Sequence, residues 1–159
     1  MNKKNLIVAL AAAAVAGIVS AGGANADVAP FDTPFDDPGC PCAGLLPGPV
    51  VTHQIRNMTS ILSDPDADSG AAVMYGDARS GDTLLAVGTA VAGSGAQLRF
   101  GTYRGRPSFT TAPFESNGFY RAMTVFIDGD KCVLLFGAAP DAADAQAALD
   151  TLAATFRIR

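Results

Sequence analysis

Cys40-Pro41-Cys42 and Cys132 are the residues of this sequence with the most chemistry open to them. In an oxidising compartment three thiols read first as disulfide candidates, and an odd count leaves one for another chain or for a free thiol. A Cys40–Cys42 bridge would close a very small ring around proline, against a preferred Cα separation of about 4.4–6.8 Å. The long-range pair is therefore expected: Cys132 bridged to Cys40 or Cys42, with the choice between these two left open. Two sharper uses are a Cu(I) site built from Cys40, Cys42, His53 and Met58, because soft ligands select that ion, and a redox-active Cys-x-Cys pair. Nothing in the sequence fixes the geometry of the first, and the proline-rich setting of the second lacks the helix N-terminus that lowers a thiol pKa.

His53 is the single histidine, and no Gly-x-Ser-x-Gly elbow accompanies it, so a serine hydrolase has a base without a recognisable nucleophile. Asp64-Pro65-Asp66-Ala67-Asp68 begins like a calcium loop, but Ser69 and Tyr75 stand where an EF-hand needs Gly and a bidentate Glu. Glu115 is the only glutamate, and the aspartates Asp77, Asp82, Asp128 and Asp130 fall near turns, a poor setting for the paired carboxylates of a glycosidase. The sequence thus supports no catalytic residue, cofactor or metal. It points to a non-enzymatic binding or interaction protein, with a thiol-based enzyme or a calcium-stabilised structural protein as the alternatives.

Lys3 and Lys4 precede an apolar run from Leu6 to Val19, and Ala24-Asn25-Ala26 fits the small-x-small rule of signal-peptide cleavage. Residues 1–26 are read as a secretory leader, residues 27–50 as a proline-rich extended arm and residues 51–159 as one domain, working in the medium or the cell envelope. No run reaches the roughly 20 apolar residues of a membrane helix. Cleavage leaves nine basic residues against fifteen acidic ones, a charge of about −6, which disfavours nucleic acid and anionic membrane surfaces as partners. The excess of Ala, Gly and Asp over Lys and Glu fits a GC-rich genome of the actinobacterial kind.

Six of the ten prolines lie between Asp27 and Pro49, where Pro30-Phe31-Asp32 is echoed by Pro34-Phe35-Asp36. Such density denies regular pairing. Val51, Ile55, Met58 and Leu62 recur at helical spacing and predict a short amphipathic helix. The segments 71–75, 83–91, 97–103, 108–111, 119–127 and 132–136 read as strands, separated by turns at Arg79-Ser80-Gly81-Asp82, Ala92-Gly93-Ser94-Gly95, Arg104-Gly105 and Asp128-Gly129. Asp141 is placed to cap a C-terminal helix with the stripe Ala145, Ala148, Leu149 and Leu152, and Phe156 and Ile158 alternate with arginines in a final strand. The predicted fold is α+β: a twisted antiparallel meander of about six or seven strands, with a short N-terminal helix and a C-terminal helix on one face.

The order of elements from Gly118 to Ile158, two long strands, an Ala-rich helix and a Phe-x-Ile strand, resembles the PsbP-like small secreted proteins, including the LpqN-type proteins of actinobacteria. The resemblance implies an accessory or binding role and transfers no functional residue. A helix expected between the early strands is missing from the reading around Ala92–Gly95. Tyr103, Phe109, Phe114, Phe119 and Tyr120 gather near strand ends, and with the arm they are the candidate face for a small apolar molecule or a protein partner. A lined cavity between the C-terminal helix and the sheet would support the ligand reading.

Overall fold

The computed structural model describes residues 30–55, 58–63, 70–78 and 83–159. The leader and its cleavage site, the Asp64–Asp68 loop and the turn at Arg79–Asp82 lie outside the described residues.

The main sheet has eight antiparallel strands. Its order in space is β3 (Val50–Ile55), β4 (Met58–Ser63), β5 (Gly70–Asp77), β10 (Lys131–Ala139), β9 (Phe119–Asp128), β7 (Arg106–Thr111) and β6 (Leu98–Tyr103), with β8 (Phe114–Ser116) on β9. This corrects the expected α+β meander of six or seven strands: the described residues are mostly β, in an eight-stranded and a three-stranded sheet with two helices. After β5 the chain crosses to the far edge through the helix α1 (Thr83–Ala92), and then fills the sheet inward until β10 pairs with β5.

Residues 51–55 and 58–62 are strands and not one helix. Val51 pairs with Leu62 and Ile55 with Met58, so the paired strands produce the same apolar spacing as a helical stripe. Val50, Val51, Thr52, Thr59 and Ile61 decide between the two, because β-branched side chains are stiff at χ1 and pack well on a pleated surface.

The opposite error falls on residues 83–91, expected to be a strand. Leu84, Leu85, Ala86 and Ala90 favour a helix, and Thr83, Val87, Gly88 and Val91 form its buried stripe. The Ala92–Gly95 segment is therefore the end of α1, with Gly93 N–H donating to the Thr89 carbonyl, and no hairpin. At the other predicted turns, Arg104-Gly105 has positive φ at both residues, as a type I′ hairpin requires. The β9–β10 loop is Gly129-Asp130 with positive φ at Gly129 only, one residue later than predicted and of the II′ pattern.

The proline-rich segment is extended but paired. β1 (Phe31–Asp36) and β2 (Cys42–Pro47) form a hairpin, completed by β11 (Arg157–Ile158) as a three-stranded sheet. Pro34 sits on β1, an edge strand, where a missing N–H costs no ladder bond.

Strand alternation gives the main sheet two apolar faces. Cys132, Leu134, Phe136 and Ala138 of β10 join Met123, Val125 and Phe109 on the face packed with Val87 and Val91 of α1. Val133 and Leu135 point the other way, toward Leu149 and Leu152 of the C-terminal helix α2 (Ala142–Thr155) and toward Phe35, Cys40, Cys42 and Leu46 of the small sheet. The two helices thus lie on opposite faces, not on one. Asp141 caps α2 as expected, accepting from Asp144 N–H at 2.9 Å.

Candidate functional site

α2 covers β10 and β9 and stops short of the outer strands. Gly137 lets it sit that close: a Cβ there would lie 2.3 Å from the Ala145 carbonyl oxygen and 2.5 Å from the Leu149 nitrogen. Beyond the helix the sheet is open, and a groove of about 490 Å³ runs between α2 and β6–β7.

The register explains its lining. Arg99 pairs with Thr110, Thr110 with Thr124, and Thr124 with Leu135, so one row of side chains crosses four strands from the free edge to the core under α2. Arg99, Thr110 and Thr124 are the floor. Gln146, Leu149, Asp150 and Ala153 are the wall, at the i, i+3, i+4, i+7 spacing that places side chains on one helix face. Gln97 and Pro113 stand at the mouth, where the Ala112 N–H donates to the Gln97 carbonyl at 3.2 Å.

The other end is closed by the β6–β7 turn. The Tyr103 hydroxyl donates to the Ala153 carbonyl at 3.4 Å, and Arg104 donates to the carbonyls of Phe156 and Ala153 at 2.6 and 2.9 Å. Tyr103 rests on Phe126 with ring centroids 4.9 Å apart, and the Arg104 guanidinium lies over the Tyr103 ring. Burial pushes the Tyr103 phenol up, partly offset by Arg104, which keeps it protonated as a donor.

The groove's charged groups are Arg99 and Asp150. Asp150 accepts from Gln146 Nε2 at 2.8 Å. The Arg99 side chain has no ion pair or hydrogen bond among the described residues. The lining holds no His or Cys.

The residues singled out from sequence are dispersed. Phe109, Phe114 and Phe119 are buried, the first two in the core on the α1 face; Tyr120 is half-buried in β9; Tyr103 bonds the Ala153 carbonyl but is not part of the groove's lining. His53 is exposed on β3, at the opposite edge of the sheet, and Glu115 is exposed on β8. Asp77 and Asp128 pair with Lys131 and Arg106 at 2.6 and 2.5 Å. Among the described residues no three His, Cys, Asp or Glu side chains converge on a metal position. Nor is any helix among them long and apolar enough to cross a membrane.

The cysteine pairing is corrected outright. Cys40 and Cys42 form the disulfide, and Cys132 is a buried free thiol. A bend at Pro41 brings the two Cα atoms to 5.0 Å, inside the range that the short ring was expected to miss. Parity forbids the long-range bridge, because Cys132 faces α1 while Cys40 and Cys42 pack on the α2 face. The same division separates Met58 from Cys40 and Cys42 and dismantles the copper ligand set. Burial pushes the Cys132 thiol up to about 12, the reverse of an activated thiol.

Sequence reading missed the groove itself. Its signal was a strand, Leu98–Tyr103, with Arg99 alternating against Leu98 and Phe100, and a helix whose Gln146 and Asp150 flank the apolar stripe. It also missed Arg121, a buried guanidinium that donates to the Ser116 carbonyl and whose Nε has no partner among the described residues.

No protein-family model matches this chain, and no curated protein matches it in sequence. Its fold is similar to that of cyanobacterial PsbP (CyanoP) from Synechocystis sp. PCC 6803, with a TM-score of 0.55 and 14% identity over 88% of this chain and 98% of that one. A protein from Bacteroides thetaiotaomicron aligns with a TM-score of 0.46 and 14% identity over 81% of this chain and 49% of its own. The PsbP-like fold is thus shown, over far more than the last forty residues, and the helix missed between the early strands is α1. The narrower LpqN-type likeness is not shown.

Proposed function

We propose that this is an exported, non-enzymatic binding protein whose ligand occupies the groove between α2 and β6–β7. The observation that carries the reading is the row Arg99, Thr110, Thr124, a polar floor on a sheet face that α2 leaves open. The mixed polar lining moves the ligand class from apolar to polar, and the fold likeness to CyanoP fits an accessory role better than an enzymatic one. Export rests on the leader-like residues 1–26.

The test is a chemical-shift titration of the ¹⁵N-labelled protein with four probe classes: free dipeptides, hexoses, fatty acids and nucleotides. A polar class should move the amides of Arg99, Thr110 and Thr124, and Thr110→Trp, which fills the floor at a strand position that favours aromatics, should abolish the response. If none of the four classes moves these amides, or if the response survives Thr110→Trp, the groove is not the binding site.

A further inference from the structure

We infer that the ligand is a short peptide bearing both a free amino group and a free carboxylate, held between Asp150 and Arg99; the inference rests on the groove being the binding site. Two opposite charges line one groove of about 490 Å³, yet they make no ion pair with each other. Arg99 projects from the edge strand β6, and Asp150 from the wall formed by α2. Unpaired charges of opposite sign across a cleft offer their attraction to a molecule carrying the complementary pair. The planar fork of a guanidinium matches a carboxylate, and Asp150, already held on one side by Gln146, accepts from an ammonium.

The neutral lining narrows the class further. Gln97, Gln146 and the hydroxyls of Thr110 and Thr124 supply donors and acceptors for peptide amides, and Leu149 and Ala153 offer apolar surface for small side chains. No aromatic ring lines the groove, so a sugar or a nucleobase finds no stacking partner. A phosphate would meet one cation opposed by a carboxylate, and a fatty acid would offer Asp150 no positive charge.

The experiment titrates the labelled protein with Ala-Ala, N-acetyl-Ala-Ala and Ala-Ala amide. Ala-Ala should shift the Arg99, Thr110 and Thr124 amides, and removal of either terminal charge should weaken binding at least tenfold. Arg99→Gln should make Ala-Ala and its amide bind equally, and Asp150→Asn should do the same for Ala-Ala and its N-acetyl form. Both residues are exposed, and unchanged denaturation midpoints establish that the variants fold. If the capped peptides bind as well as Ala-Ala, the zwitterion is rejected while the groove reading stands. If no peptide shifts these amides, the inference is overturned, and the other probe classes decide on the groove.

Discussion

The Arg104 guanidinium donates to the Phe156 carbonyl at 2.6 Å, tying the β6–β7 turn to the residue that ends α2. The same side chain bonds the Ala153 carbonyl, so one cation serves two orphan carbonyls at the negative end of the helix dipole. Arg104 holds positive φ in a type I′ turn to do so. Arg104→Gly keeps the turn and removes the latch. It should lower stability by about 1–2 kcal/mol and raise hydrogen exchange in the last turn of α2. Unchanged exchange at Ala153–Phe156 would show that the latch is idle.

Phe156 is fully buried, with ring centroids 6.4 Å from Phe35 and 5.8 Å from Phe126. It joins the small sheet, the main sheet and α2 in one apolar cluster. Phe156→Ala should cost roughly 3–5 kcal/mol, a large part of the 5–15 kcal/mol typical of a domain. Urea denaturation of wild type and variant measures it, and equal midpoints would place Phe156 outside the cooperative core.

The strands of the central sheet were legible because Val, Phe, Tyr and Leu in β5, β7, β9 and β10 are bounded by residues that only turns accommodate. The two misread segments share a cause: the paired strands β3 and β4 and a helix of Thr, Val and Gly each mimic the other's period. Asn117-Gly118, both at positive φ, joins β8 to β9 and was the strongest unused turn signal. The groove was illegible for a different reason. Arg99, Thr110 and Thr124 are adjacent only through strand register; the β6–β7 turn was legible, but the register of β7 on β9 depends on the connection holding β8 and the Asn117-Gly118 turn, which the sequence reading did not contain.

Gly137 marks the contact that sets the groove's width. Gly137→Ala drives a methyl into the backbone of α2, which no rotamer change relieves. A loss of about 1–3 kcal/mol or more is expected, with the helix displaced from β10. A wild-type melting temperature for Gly137→Ala would mean that α2 does not press on the sheet.

If residues 1–26 are removed on export, protein recovered from the medium begins at Asp27. Intact-mass spectrometry checks this, and soluble extracellular protein that still begins at Met1 would refute the leader.

Cys132 provides the sharpest separation between the two cysteine readings. Its side chain is enclosed with Met58, Leu134 and Val125 on the α1 face, so a thiol reagent should modify the native protein only as fast as the protein unfolds. Peptide mapping without reduction should recover Cys132 free and Cys40 joined to Cys42 within one peptide. A cross-link to Cys132 would require both faces of the sheet to be rebuilt. Burial also links this thiol to stability at high pH, since its pKa rises from 9.0 to about 12 in the folded chain. Between those values the unfolded chain sheds the proton and the folded chain keeps it, so unfolding releases a proton. The contribution is intact below about pH 9 and is lost as pH rises toward 12, at no more than about 1.4 kcal/mol per pH unit. Tyr75 and Tyr103, whose phenols burial also raises, add the same sign of dependence, which makes the comparison with Cys132→Ala the informative one. Wild type should lose stability more steeply than Cys132→Ala between pH 9 and 11 in urea titrations, and parallel curves would show that the thiol is not protected from solvent by the fold.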